Sequence, residues 1–210
     1  MFIDPKQRTG GALASGTRMG VPLGEPLRFG ADVSWLPRCR VGDNQGSDGA
    51  CVIFAFASWA EIVHGYIIAD EDCHRVYQQT LARMHRPDGG LTFDEGFQAA
   101  REAMWLPGAS GILQVPDLTL LVDQPILGAY EITPAWDRTN AAGCLDHRAT
   151  GNTRGLHAVV IVAHGELEKF PRVRWVYIEN SWGREWGWNG VGVMSESLHQ
   201  SLCSELWTVV

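Results

Sequence analysis

The feature that most constrains this chain is the run from Cys51 to Ile68, in which polar side chains are few. A segment of that length suits a helix better than a strand, and a helix apolar on nearly every side must be buried on nearly every side. Glu61, His64 and Gly65 interrupt the run, so it reads as the core helix of a soluble domain and not as a membrane span. A second helix is expected over 72–84, with Asp70 or Asp72 favourable near its start. A third is expected over 92–104, where Thr92 and Glu95 stand at capping-box spacing and Pro107-Gly108 follow as a stop. After these the pattern changes: 124–132, 158–163, 172–179 and 190–194 are short runs of strand-like content. Helices first and strands later is the order of an α+β protein.

The chain has 210 residues, enough for one substantial core without a disulfide scaffold. Its net charge of -7 and the absence of any Lys/Arg run argue against a nucleic-acid partner. No stretch is long and apolar enough to span a membrane, and no signal-peptide pattern opens the chain, so a cytoplasmic location, or delivery without a Sec signal, is expected. Five scattered cysteines do not form a secreted framework; reduced thiols are the simplest reading, with one or two disulfides still open. Residues 1–30, rich in Gly and Pro, read as an extended arm, and 31–210 as the domain.

Chemistry enters at 45–54. A thiol attacks as thiolate, so a nucleophilic cysteine needs an electropositive setting. Cys51 follows the glycine-rich turn 42–50 and begins the apolar helix, where free first-turn N–H groups and the helix dipole favour a negative sulfur. A cysteine there can equally be a small core residue. Gln45, six residues earlier, is placed to offer its amide to an oxyanion together with the Cys51 N–H. His157 stands at the mouth of one apolar strand and Asn180 at the end of the next. If those strands are antiparallel neighbours, both side chains emerge at one end of the sheet. The histidine would then take the thiol proton and the asparagine would orient the ring, with Trp182 covering the bond between them.

Together, Gln45-Gly46-Ser47-Asp48-Gly49-Ala50-Cys51, Leu156-His157-Ala158-Val159 and Glu179-Asn180-Ser181-Trp182-Gly183 through Asn189-Gly190 resemble the papain-like cysteine proteases. The last stretch carries the most specific likeness, with its Asn-Ser-Trp-Gly, Trp-Gly and Asn-Gly elements in order. The resemblance implies a papain-like two-lobed α+β fold. Its helical left lobe would cover about 45–115 and its β-rich, barrel-like right lobe about 120–210, with the active cleft between. It implies Cys51 as nucleophile, His157 as base, Asn180 as orienter and Gln45 as oxyanion donor, acting on a peptide or protein substrate without metal or cofactor. It also suggests that Gly89 and Gly90 meet the substrate backbone, although a glycine turn before the third helix explains them as well. Glu205, in the stretch resembling the floor of the main specificity pocket, would favour a basic side chain if it points inward.

The chain departs from the family at Asp48, where a disulfide-forming cysteine is usual, and at Val52, where an aromatic residue is usual. An acid three residues before the thiol would oppose thiolate formation if close and ionised. His157 follows Cys51 sooner than the ~130 to 150 residues of mature papain-type domains, which implies a compact second half. The charged, proline-containing stretch 166–174 reads as a long hairpin loop. Acyl transfer to an amine, or a binding module on the same fold, remains an alternative to hydrolysis. A zinc site at Cys73-His74 or at Cys144 and His147 lacks a second matched pair.

Overall fold

The computed structural model describes residues 33–40, 42–140, 142–145, 151–167 and 170–210. The arm expected at 1–30 lies outside them. Helix α1 is Cys51–His64, and every residue from Cys51 to Ile62 is buried, as its composition requires. It stops four residues earlier than expected. Gly65 takes a left-handed conformation (φ 73°) and returns its N–H to the Glu61 carbonyl at 2.8 Å, a glycine C-cap. The Glu61 carboxylate then accepts the Ile68 N–H at 2.6 Å, which pins the connection that follows. Helix α2 is Asp70–Arg83, with Asp70, Glu71 and Asp72 all in its first turn. Helix α3 is Phe93–Glu102, and both bonds of the Thr92/Glu95 capping box are present, at 3.2 and 2.8 Å.

Strands β1 (Val33–Ser34), β2 (Ile112–Gln114), β3 (Ile126–Glu131), β4 (Leu156–Leu167), β5 (Phe170–Glu179), β6 (Val191–Ser195) and β7 (Cys203–Val209) form one antiparallel sheet. A short helix α4, Glu196–Leu202, joins β6 to β7. The strand order is β2-β7-β3-β4-β5-β6, with β1 pairing β4 at Ala163 and His164. The sheet is open, with β2 and β6 at its edges, so the expected barrel-like character is that of a sheet that does not close. Of the charged stretch 166–174, the described residues 166–167 and 170–174 are strand and not loop. Glu166 pairs with Arg174, and Leu167 with Phe170. Arg172, Val173 and Arg174 are exposed there, so charge is no obstacle to a hairpin that projects past the core.

Period-two alternation divides the sheet's apolar residues between its faces. Leu127, Ala129, Ala158, Val160 and Val162 join α1 in one core. Tyr130, Val159, Ile161, Val176 and Ile178 join Trp136, Trp186 and Leu198 in a second. The Trp59 indole, donating to the Pro125 carbonyl at 2.9 Å, ties α1 to the start of β3. Helix α3 approaches α1 so closely that a Cβ at Gly96 would lie 2.3 Å from a Val52 methyl and 3.1 Å from the Phe56 ring. Alanine is the better helix former by about 1 kcal/mol, but overpacking at such contacts costs roughly 1–3 kcal/mol. Gly96→Ala is therefore expected to lower the thermal midpoint by a few degrees; a midpoint at or above that of the unchanged protein would show that α3 can shift away freely.

Candidate active site

Cys51 is the first residue of α1 and is 1% exposed. The turn before it is shaped by two glycines. Gly46 adopts φ 58°, and a Cβ at Gly49 would lie 2.7 Å from both the Gly89 carbonyl oxygen and the Tyr77 hydroxyl. This turn lies along the segment that follows β5. The Gln45 N–H donates to the Ser181 carbonyl at 2.9 Å, and the Gly183 N–H donates to the Asp43 carbonyl at 2.8 Å, flanking an antiparallel bridge between Asn44 and Trp182. The fully buried Gln45 side chain is held at both ends. Its Nε2 donates to the Asp48 carbonyl at 2.8 Å, and its Oε1 accepts from the Ser181 hydroxyl at 2.7 Å.

His157 opens β4 opposite Tyr130, and Asn180 directly follows β5. Because β4 and β5 are antiparallel, the two side chains meet, with His157 Nε2 2.7 Å from Asn180 Oδ1. An amide oxygen only accepts, so Nε2 carries the hydrogen and the neutral ring keeps its lone pair on Nδ1. Asn180 is fixed in turn by its own N–H, which donates to the Gly190 carbonyl at 2.9 Å. The Trp182 ring lies over the imidazole, with centroids 4.8 Å apart, and the Trp136 ring meets its edge at 6.0 Å. His157 is fully buried beneath them.

Two of these contacts were not legible in the sequence. Ser181 lies inside the Asn-Ser-Trp-Gly element, but its hold on Gln45 spans 136 positions. Trp136 comes from an isolated turn at 134–137 with no periodic pattern around it. The remaining expected residues are held by contacts of their own. Gly89 takes φ 122° and its carbonyl accepts the Tyr77 hydroxyl at 2.7 Å, while Gly90 is buried beside it. Glu205, on β7 opposite Ala129, is half-buried, and its Oε2 accepts the Trp207 indole N–H at 2.8 Å.

All five cysteines are free thiols. Burial pushes the Cys39, Cys73 and Cys144 thiols up, and the Cys203 thiol up to about 11. Behind the Asp43–Gly183 contact lie three buried acids. Burial raises Glu179 well above the carboxylate range and also raises Glu61, which Arg40 meets at 3.0 Å. Asp43 is pushed up to about 7, by burial first and by Glu61's charge second, with Arg40 opposing. An acid raised on folding favours the protonated folded form. Its stabilising contribution is complete below the ordinary carboxylate value of about 3.9 and is lost as pH climbs through about 7. Asp43→Asn is expected to leave the thermal midpoint unchanged near pH 4 and to raise it by roughly 2–4 °C near pH 8, the shift that about 1 kcal/mol gives in a chain of this size. A lower midpoint for the variant at pH 8 would show that the ionised carboxylate is needed.

The sequence profile of the papain family cysteine proteases matches residues 36–205. No curated protein matches the chain by sequence. Among solved structures, similar folds include the ragweed pollen allergen Amb a 11, a cysteine protease in its proform, with 16% identity, a TM-score of 0.63, and coverage of 100% of this chain and 75% of that one. Xylellain, a cysteine protease from Xylella fastidiosa, gives 15% identity and a TM-score of 0.63 over 87% of this chain and 86% of its own. Procathepsin L 3 of the Tenebrio molitor larval midgut gives 15% and 0.61 over 92% and 73%. At such identities these structures speak for the fold, and with the profile covering most of the length, the chain belongs to the papain family of cysteine proteases.

Proposed function

We propose that this protein is a cysteine endopeptidase in which Cys51 is the nucleophile, His157 the proton carrier, Asn180 the orienter of its ring, and Gln45 an oxyanion donor. The observation that carries the reading is the buried 2.7 Å bond between His157 Nε2 and Asn180 Oδ1, which fixes the tautomer with the basic nitrogen at Nδ1. Nδ1 accepts the Cys51 proton as the sulfur attacks the peptide carbonyl, and the resulting imidazolium gives that proton to the leaving amine. Water then repeats the sequence on the thioester, losing a proton to Nδ1 and releasing the acid. The carbonyl oxygen, negative in each tetrahedral intermediate, is met by the Cys51 backbone N–H and by the second Nε2 hydrogen of Gln45, since the first is bound to Asp48. No metal or cofactor enters these steps.

Cys51, at the first position of α1 where the helix N–H groups favour a negative sulfur, is the expected target of a thiol-directed irreversible reagent near neutral pH. Mass mapping is expected to find the label on Cys51, and Cys51→Ala to abolish both labelling and peptide hydrolysis. His157→Ala is expected to slow hydrolysis roughly 10²- to 10⁴-fold, the usual contribution of a general acid–base. Equal labelling of Cys39 or Cys144 would sink the assignment. Glu205, its carboxylate oriented by Trp207, is proposed to select a basic substrate side chain; a peptide library cleaved by Glu205→Gln with undiminished basic preference would remove that role.

A further inference from the structure

The turn that carries Gln45 meets α2 at His74 and, one helical turn further on, at Tyr77. His74 Nδ1 lies 3.1 Å from Asp48 Oδ2, and Tyr77, three residues further along the same face, donates to the Gly89 carbonyl against which Gly49 is pressed. The His74 ring is held from the other side by Phe54 of α1, edge to face with centroids 5.3 Å apart. Asp48 uses its two ends differently. Its carboxylate meets His74, while its main-chain carbonyl accepts the Gln45 Nε2 hydrogen at 2.8 Å. A continuous path therefore runs from α2 through Asp48 to the Gln45 carboxamide, and on through the Ser181 hydroxyl to the residue beside Asn180.

The Gln45 amide has two hydrogens, and the direction of the second is set by where the first is anchored. Ser181 fixes the oxygen end of the group; the Asp48 carbonyl fixes the nitrogen end. We propose that His74 is a positioning residue for the oxyanion site: by holding the Asp48 carboxylate it fixes the Asp48 carbonyl, which aims the Gln45 amide. This rests on the proposed thiol mechanism, in which Gln45 is the oxyanion donor. Both side chains of the pair are about one-third exposed, at 33% and 38%, and pairs so exposed add little to global stability. The pair's contribution is directional. On the same face of α2, burial together with Asp88 and Asp48 pushes the Tyr77 hydroxyl up to about 12, so it stays a donor to Gly89.

Two variants separate the hydrogen bond from the packing. His74→Phe keeps a ring against Phe54 and removes the polar nitrogen, whereas His74→Asn places an amide nitrogen where Nδ1 stood. Two readouts separate positioning from general damage. In uniformly 15N-labelled protein, the Gln45 side-chain NH2 signal, identified by its loss in Gln45→Glu, is expected to shift in His74→Phe and to return in His74→Asn. In single-turnover kinetics with a peptide ester, His74→Phe is expected to acylate about 10-fold more slowly, a fraction of the roughly 10²- to 10³-fold cost of deleting an oxyanion donor. Alkylation of Cys51 by iodoacetamide passes through no oxyanion and is expected to stay within about two-fold. His74→Asn is expected to recover most of the acylation rate. A Gln45 signal unmoved in His74→Phe, an unchanged acylation rate, acylation and alkylation falling together, or no recovery in His74→Asn would each overturn the proposal. If the unsubstituted protein does not acylate at all, the proposed function fails, and the Gln45 signal alone decides whether His74 sets the amide.

Discussion

Two backbone hydrogen bonds, Gln45 N–H to the Ser181 carbonyl and Gly183 N–H to the Asp43 carbonyl, join the start of the core helix to the end of the central hairpin. Much else depends on them. Buried main-chain groups that lose their partners are costly, so a turn fastened this way has little freedom to slide. A slip of one residue would carry Gln45 away from Ser181, and with it the carboxamide that is fully buried and bonded at both ends. The join also explains why residues far apart in sequence become neighbours. Cys51 is placed by α1, and Asn180 by β5 and the Gly190 carbonyl. His157 is placed by β4, and the bridge between Asn44 and Trp182 brings the two frameworks to one end of the sheet.

Around this join the protein uses low polarity in two opposite ways. Trp182 and Trp136 cover His157, and Trp186 stacks on Trp136 with its indole N–H given to the Trp136 carbonyl at 2.9 Å. A hydrogen bond sheltered like this is stronger than one in water, and the imidazole keeps one orientation. A few residues away the same dryness falls on Asp43, Glu61 and Glu179, where it works against ionisation. Arg40 is set among these acids and only partly offsets them. Asp43 therefore lends its backbone to the site while its side chain makes the same region sensitive to alkaline pH.

The parts of this arrangement that follow local rules were legible in the sequence. The apolar run predicted α1, the Thr92/Glu95 spacing predicted the start of α3, and the order of elements predicted an α+β protein. Cys51, His157 and Asn180 stood out because each sits at the end of a helix or strand run, and Gln45 because it lies six residues before Cys51 in the glycine-rich turn. Where local signals conflict, the reading failed. Gly65 looked like an interruption within a helix and is its cap, because tertiary contacts decide which role a late glycine takes. The charged residues Glu166, Arg172 and Arg174 looked like part of a loop and lie on strands, because a hairpin that leaves the core has little buried face to keep apolar. Contacts such as Ser181 to Gln45, or His74 to Asp48, join residues 136 and 26 positions apart and leave no periodic trace.

The acid at Asp48 shows how such a contact changes a chemical expectation. Read from the sequence, a carboxylate three residues before a nucleophilic thiol looks adverse, since its field disfavours a second negative charge. In the structure that carboxylate is directed at His74, whose Nδ1 lies 3.1 Å from its Oδ2, and it is 38% exposed. Solvent at so exposed a carboxylate screens its field. The sulfur at Cys51 meanwhile sits at the head of a fourteen-residue helix whose first N–H groups have no partner within the helix, a favourable contribution that Asp48 does not remove. The acid that looks adverse to the thiol in the sequence is therefore better understood as an anchor: its charge is turned outward to α2, and its carbonyl is turned inward to Gln45.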